Sequence, residues 1–165
     1  MILPPNIIPL LEQTLKSPLV PRGTPLEIWK SENHRSWIDI FTELGIVLFN
    51  SDLPADGLPR GYILVAYLFD WEAQCQFDGW HAFGNRSSTI DQIIKAYEEV
   101  GLKGEADALR RAHAAWERSN GDMDATSMAY GELRHEYSVD LDRLEFLVCY
   151  FIDNAEQLFY VTSET

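Results

Sequence analysis

Histidines and acidic residues are the side chains of this sequence with the clearest potential for metal chemistry. Asp78 precedes His81 by three positions, and Glu132 precedes His135 by the same spacing. Helical di-iron proteins use two Glu-x-x-His motifs together with a glutamate from each of two further helices. Here the first motif begins with aspartate and is interrupted by Gly79, so we predict no metal site and keep a metal-dependent helical enzyme as an alternative. The four histidines are His34, His81, His113 and His135.

The sequence also lacks residues that other catalytic and ligand-binding motifs require. The sequence holds neither a glycine-rich phosphate loop nor a G-x-S-x-G nucleophile motif. Asn120, Asp122 and Asp124 resemble the start of a calcium loop. The position that needs glycine is Ala125, however, and the twelfth position is Gly131 rather than a bidentate glutamate. The sequence therefore predicts a non-enzymatic protein without a metal or cofactor.

Carboxylates recur at helical spacing in several parts of the chain. Asp39 and Glu43 are four residues apart on the first long predicted helix, and Glu132 and Glu136 repeat this spacing, which Asp140 continues. Like charges at this spacing cost roughly 0.2–0.5 kcal/mol per pair. Because lysine partners are absent at these spacings, the acidic pairs are not explained by the stability of the helices.

The last predicted helix, from about Asp140 towards Thr162, has an acidic face opposite an apolar one. Asp142 to Glu156 would span roughly 21 Å at 1.5 Å per residue. Phe146, Cys149 and Tyr160 lie on or beside the acidic stripe, as either an interface core or internal packing. The acidic face holds Asp142, Glu145, Asp153, Glu156 and Glu164, and the apolar face holds Leu141, Leu144, Leu147, Val148, Phe151, Ala155 and Leu158.

These carboxylates form a candidate partner-binding surface. Side chains one helical turn apart are separated by about 6 Å, which approximates the spacing of phosphates along DNA. A helical scaffold would hold them ready for the arginine and lysine side chains of a partner. The alternative is an acidic face that is only solvated. The eleven predicted residues are Asp39, Glu43, Asp122, Asp124, Glu132, Glu136, Asp140, Asp142, Glu145, Asp153 and Glu156.

The periodicity of apolar residues predicts an all-α fold, with residues 1–165 forming a single compact domain of about six to eight helices around a buried central helix. Residues 1–33 are predicted to be irregular because six prolines interrupt them. The predicted helices are 35–48, 61–77 (the central one), 88–101 with Ser88 as its cap, 105–118, about 124–137, and the last one. The residues predicted to be buried are Trp37, Phe41, Leu64, Phe69, Ile93, Tyr97, Trp116, Leu144, Phe151 and Leu158.

Net charge is the strongest feature of the composition. The chain of 165 residues has a formal net charge of −13 and a hydrophobic share of 46%. Residues 36–85 contribute −6 and residues 119–165 contribute −8, whereas residues 1–35 and 86–118 are close to neutral. Clustered acidity creates a directional field, and it should repel the phosphates of nucleic acid.

Several classes of protein are excluded by simple features. No apolar run reaches the roughly 18 residues of a membrane span. The first eleven residues contain three prolines and no basic region, so they do not predict a secretory signal. Cys75 and Cys149 both lie in apolar helical segments and predict no disulfide framework. We therefore expect a cytoplasmic protein.

Residues 72–85 (EAQCQFDGWHAFGN), followed by a helix ending at Gly101 and the segment AYEEVGLKGEADALRRA, resemble a bacterial family of nineteen-kilodalton DNA-mimic proteins. The likeness covers roughly residues 60–118, and Asp78-Gly79-Trp80 replaces the double glycine usual in the family's turn. The resemblance implies an all-helical, often dimeric protein that occupies the DNA-binding surface of a transcriptional regulator. It also implies that Phe77, Trp80 and Phe83 pack in the core.

Together these features predict a non-enzymatic DNA mimic. Its partner would be a DNA-binding protein, either a transcription factor or a nucleoid-type protein, and it would bind neither nucleic acid nor membrane. A homodimer is one expected state. The alternative is an acidic interaction or immunity-type module whose charge serves solubility alone.

Overall fold

Helices provide the regular structure of residues 1–52, 56–133 and 135–162, which are the residues that the computed structural model describes. Within them there is no β-strand, and an isolated antiparallel bridge joins Ile2 to Val161. The all-α prediction is thus confirmed. The helices are α1 (Ile8–Leu15), α2 (Trp37–Phe49), α3 (Arg60–Asp78), α4 (Ala82–Asn85), α5 (Ile90–Glu99), α6 (Lys103–Arg118), α7 (Met123–Tyr130), α8 (Asp140–Asp153) and α9 (Ala155–Phe159).

The described residues form two compact units, residues 1–70 with 144–165, and residues 71–143. In the first unit, the rings of Phe41, Phe69 and Phe151 lie with their centroids 5.5–6.0 Å apart. Close helix packing is possible because Gly45 has no side chain, since a Cβ there would lie 2.6 Å from the Cβ of Phe69. The aromatic cluster and this contact fix α2 against the first part of α3. The prediction of a single domain stays a prediction.

In the second unit, α6 packs against both α5 and α7. The inward face of α5 buries Ile93 and Tyr97, and α6 buries Leu109 and Ala112. Their spacing of three or four residues places each pair on one side of its helix, as the periodicity predicted. Asp122 caps the start of α7, where its side chain accepts a hydrogen bond from the backbone of Ala125 at 2.7 Å.

The predicted core is confirmed. Seven of its residues are buried, and Trp37, Trp116 and Leu158 are half-buried. The central helix is also heavily buried, because residues on every side of it between Asp70 and Ala73 are inaccessible to solvent. The seven buried residues are Phe41, Leu64, Phe69, Ile93, Tyr97, Leu144 and Phe151.

Residues 1–33 are not wholly irregular, which corrects the prediction. The helix α1 forms there with Pro9 in its first turn. A proline is compatible with this position because the first N–H groups of a helix have no partner within it. Leu11 and Thr14 of α1 are buried, so packing of α1 stabilises a helix that the proline count argued against.

Two further predictions about the turn after α3 need correction. The helix α5 begins at Ile90 with Thr89 as its cap residue and no side-chain cap bond, so Ser88 does not cap it. Phe77 is 83% exposed and does not pack in the core. Phe83 is buried and Trp80 is half-buried. Phe77 is the last residue but one of α3, where the helix has passed beyond the packed interior.

Candidate functional site

The eleven carboxylates predicted to bind a partner are at the surface. Ten of them are exposed, and Glu43 is half-buried. A carboxylate must be exposed to bind a partner, but one that already forms hydrogen bonds or ion pairs within the protein is a poor candidate. We therefore distinguish the carboxylates that have such partners from those that have none.

Three of the eleven have partners within the fold. Asp122 caps α7, as described above. Asp140 accepts a hydrogen bond from Arg143 at 3.0 Å. Glu136 accepts hydrogen bonds from the backbone N–H groups of Gly104 at 2.7 Å and Glu105 at 3.0 Å. These three residues therefore stabilise helix ends or a buried cation.

The carboxylate of Glu136 closes the start of α6. The first N–H groups of a helix lack partners within the helix and carry partial positive charge. Burial alone would raise the pKa of Glu136, but the hydrogen bonds from Gly104 and Glu105 lower it below its ordinary value. Glu136 thus acts as a cap contributed from outside the helix.

The other eight carboxylates make no hydrogen bond or ion pair in the described part of the chain. They lie on α2, on α7 and the loop that follows it, and on α8 and α9. No contact among the described residues accounts for them, so they remain candidates for binding a partner. These candidate acidic residues are Asp39, Glu43, Asp124, Glu132, Asp142, Glu145, Asp153 and Glu156.

Among these carboxylates, the ones on the exposed face of α8 have the most regular spacing. Asp142, Glu145, Cys149 and Asp153 follow one another at intervals of three or four residues, and all four are exposed. Such intervals place side chains on one face of a helix, and eleven residues rise about 16.5 Å. The three carboxylates on this face are therefore held along a straight line by a single helix.

Two corrections apply to the helical wheel predicted from the sequence. The last helix is interrupted at Asn154, whose side-chain amide donates to the backbone carbonyl of Tyr150 at 2.8 Å. Glu156 therefore lies on α9, and the stripe does not continue over 21 Å. Leu141, placed on the apolar face, is 54% exposed because α8 has only just begun there. Glu164 lies outside the described residues.

Glu132 and Glu136 do not share a helix, contrary to prediction. The helix α7 ends at Tyr130 with Gly131 as its cap residue. Glycine inside a helix costs about 1 kcal/mol relative to alanine, so the helix is weakest at this residue. Glu136 instead forms hydrogen bonds with the start of α6.

The residues beside the stripe are now distinguished. Tyr160 is half-buried, and its hydroxyl accepts a hydrogen bond from Trp29 at 3.0 Å and donates one to Glu27. Phe146 is also half-buried. Cys149 is exposed among the carboxylates of α8. Of the three residues, Cys149 is the most accessible to a partner.

A buried charge cluster in residues 71–143 was missed by the sequence reasoning. Arg143 and Glu72 are 6% and 3% exposed. The guanidinium donates from Nε to Oε1 of Glu72 at 2.5 Å and from Nη2 to Oε2 at 2.8 Å. Tyr97 adds a hydrogen bond to Glu72 Oε1 at 2.6 Å. A charged pair can be buried in this way because both carboxylate oxygens are satisfied.

Glu105 is the second buried carboxylate of this cluster and has weaker partners. Tyr130 donates its hydroxyl to the two carboxylate oxygens at 2.8 Å each. Two basic side chains lie near it, Arg143 with its Nε at 4.0 Å and His135 with its Nδ1 at 3.8 Å. Burial raises the pKa of Glu105, against the opposing effect of Arg143 and the hydrogen bond from Tyr130. Its charge is therefore only partly compensated.

Sequence signals for the cluster were present. Glu72 lies in a helix that is apolar on nearly every side, and Arg143 directly precedes the buried Leu144. A charged residue at such a position needs a partner. The partners are 71 residues apart in sequence, so the tertiary fold was needed to pair them.

A conventional metal centre is not formed by the residues described. Among them, no group of three or more His, Cys, Asp or Glu side chains is arranged to hold a metal ion. No described helix is both long and apolar enough to cross a bilayer.

Comparison with known proteins gives one family. The family model described as DMP19-like protein matches residues 56–161. No curated protein and no solved structure matches the chain. The matched region runs from just before α3 to just after α9, and it includes the exposed face of α8 and the buried charge cluster.

Proposed function

Because the chain belongs to the DMP19-like protein family, we propose that it is a non-enzymatic DNA mimic that occupies the DNA-binding surface of another protein. The partner would be a transcriptional regulator or a nucleoid-type protein in a bacterial cytoplasm. Two features support this proposal: the resemblance to DNA-mimic proteins in residues 72–85, and a net charge of −13 concentrated in two segments.

The exposed face of α8 is the observation that carries the proposal. Its three carboxylates, on Asp142, Glu145 and Asp153, lie on one line about 16.5 Å long. One strand of duplex DNA carries about five phosphates over that length, at about 3.4 Å of axis per phosphate. The helix thus presents fewer charges than DNA, but it presents them in a row and already ordered.

Because these carboxylates are already ordered by the helix, they should bind a partner more tightly than a flexible acidic segment would. A flexible acidic tail would lose conformational entropy when it bound a basic groove, whereas side chains on a packed helix lose less. The backbone of α8 is anchored by the buried Leu147 and Phe151 on its opposite face. The cationic residues of a DNA-binding protein would meet a preformed row of charge, and such complementarity raises association rates and fixes register.

A matched pair of variants tests the proposal. Glu145→Lys with Asp153→Lys reverses two charges on the exposed face of α8. Glu12→Lys with Glu32→Lys changes the net charge by the same amount at exposed positions outside it. Each protein is immobilised and incubated with a cytoplasmic extract of the native bacterium. The proteins that it has captured are then eluted with duplex DNA. Circular dichroism verifies folding.

We expect the wild type and the control variant to retain a DNA-binding protein that duplex DNA displaces. The α8 variant should retain none, because like charges placed against each other cost several kcal/mol. Retention should also weaken steeply with salt, since exposed charge pairs are screened. A folded α8 variant that retains the same protein as the wild type would refute this role for α8.

Direct DNA binding would contradict the proposal independently. A chain of net charge −13 should be repelled by phosphate. A gel-shift experiment with random duplex at low salt should therefore show no complex. A retarded band would mean that the acidity does not imitate DNA.

The second candidate function is an acidic interaction or immunity-type module that does not imitate DNA. Exposed apolar side chains in residues 71–143 favour it, because a partner could bind them without cationic residues. Phe77 is 83% exposed, Met128 75% and Leu133 61%. In the capture experiment this function predicts a partner that duplex DNA fails to displace.

Family membership also leads us to propose a homodimer. Sedimentation velocity at several concentrations distinguishes a dimer from a monomer of 18.9 kDa. A monomer at every concentration would contradict the proposed state without affecting the proposed partner class.

A further inference from the structure

A cavity of about 170 Å³ lies beside the buried charge cluster. Its walls combine aromatic rings with carboxylates: Trp71, Trp80 and Tyr130 contribute rings, and Glu72, Glu105 and Asp140 contribute carboxylates. Every one of its lining residues belongs to the unit of residues 71–143. The proposed DNA mimicry makes no use of this cavity.

The charges around the cavity do not balance. Three carboxylates line it, and Arg143 is the one cation among its lining residues. Arg143 is already engaged with both oxygens of Glu72 and with Asp140. Asp140 is exposed to solvent, so Glu105 is the buried carboxylate of the cavity wall that receives no hydrogen bond from a cation. Burying such a charge is unfavourable unless a cation is near.

Glu105 has the capacity to bind that cation. A carboxylate offers about four lone-pair positions, and Glu105 receives one donor, the hydroxyl of Tyr130, shared between its two oxygens. The residue is only 3% exposed to solvent, so bulk water does not solvate it. An additional N–H donor inside the cavity would satisfy oxygens that now share a single hydrogen.

The walls favour an organic cation over a metal ion. The described residues offer no group of three ligating side chains, and aromatic rings do not replace oxygen ligands. Rings do attract organic cations. A guanidinium group is planar, weakly hydrated and able to stack on aromatic faces while donating to a carboxylate. An ammonium group lacks the planar shape and is more strongly hydrated.

We propose that this cavity is a binding site for an alkylguanidinium group, which lies against Trp80 and Tyr130 and donates hydrogen bonds to Glu105. The group could belong to an arginine side chain of a protein or to a small molecule. None of the three carboxylates on the exposed face of α8 lines the cavity, and the site does not depend on the proposed function.

The test uses the complete chain and N-acetyl-arginine amide as the probe, with N-acetyl-citrulline amide as a neutral ligand of nearly the same shape. Binding is measured by calorimetry and by the fluorescence of the tryptophans. Free arginine is titrated in parallel, because its carboxylate would be repelled by the acidic walls. The capped probe imitates an arginine within a protein, and free arginine imitates a small molecule.

We expect saturable binding of the capped arginine, with one site per chain, and none of the citrulline compound. Stronger binding of the capped arginine than of free arginine would assign the site to a protein side chain, and the reverse would assign it to a small molecule. Glu105→Gln keeps the shape of the side chain and should weaken binding by about tenfold or more, because a charge-assisted hydrogen bond is lost. Glu117→Gln, at an exposed carboxylate of the same helix, should leave it unchanged.

Absence of saturable binding to the wild type would overturn the proposal, as would equal binding of the citrulline compound. A folded Glu105→Gln protein that binds as tightly as the wild type would also overturn it. If that variant does not fold, the comparison of the two capped ligands on the wild type decides alone.

Discussion

Replacing Arg143 with methionine should destabilise the protein strongly. The substitution keeps a long apolar side chain but removes the cation that Glu72 meets at 2.5 and 2.8 Å. Two unit charges about 4 Å apart interact by roughly 4 kcal/mol at an effective dielectric constant of 20. Mutational experience with broken buried pairs gives about 3–5 kcal/mol. We expect the free energy of unfolding to fall by about 4 kcal/mol.

The appropriate control is Arg110→Met. Arg110 also pairs with two carboxylates, Glu98 and Asp107, but its side chain is 43% exposed. Exposed pairs contribute about 0–1 kcal/mol. Both variants are unfolded with urea at pH 7, and their free energies are compared with the wild type. The two arginines differ mainly in burial, so the difference between the variants measures what burial adds.

If Arg143→Met costs no more than Arg110→Met in urea unfolding, the reasoning is refuted.

Four further substitutions test other parts of the structure. Phe151→Ala removes a buried ring of the aromatic cluster and should cost about 3–5 kcal/mol in urea unfolding. Glu136→Gln removes the charge at the start of α6 and should cost about 1 kcal/mol at pH 7. Because the folded-state pKa of Glu136 is lowered from 4.5, its contribution exists above that pH and disappears as pH falls, so wild type and variant should converge in acid. Gly61→Ala would place a Cβ 2.5 Å from a backbone oxygen of α9 and should cost about 1–3 kcal/mol, whereas Gly84→Ala meets nothing within 4 Å and should be neutral or slightly stabilising by calorimetric Tm.

The sequence located helices best where local pattern and burial agree. The apolar run predicted over 61–77 is α3, observed at Arg60–Asp78. The helix predicted over 105–118 begins two residues earlier, at Lys103. Its first N–H groups are capped by Glu136, which is 32 residues beyond Gly104. Such a cap cannot be predicted from the sequence of the helix itself, because the carboxylate that accepts these hydrogen bonds comes from a distant part of the chain.

Predictions from a helical wheel failed where the chain left the helix. The acidic stripe is correct from Asp142 to Asp153, and it ends there because Asn154 interrupts the helix. The pairing of Glu132 with Glu136 failed at Gly131 for the same kind of reason. A wheel assumes continuous geometry, whereas a single glycine or asparagine is enough to redirect the backbone.

For the candidate site, the sequence predicted which carboxylates are exposed, but not which of them have partners within the protein. Exposure of the carboxylates followed from their position opposite apolar residues. Their division into residues that the fold uses, such as Glu136 and Asp140, and residues that it does not use depended on tertiary contacts. The cavity beside Glu105 depended on such contacts entirely, since its walls come from segments far apart in sequence.

The bridge between Ile2 and Val161 holds together two segments from opposite ends of the described residues. The two residues exchange both backbone hydrogen bonds at 3.0 Å, so a linker of a few residues could join them covalently. New ends could then be opened at Asn120 and Gly121, which both have positive φ in a loop between α6 and α7. Such a permuted protein would keep each of the described helices intact. The chain could then be attached to a surface through its new ends at Asn120 and Gly121. Neither of these residues belongs to α8, so the attachment would not modify the exposed face of that helix.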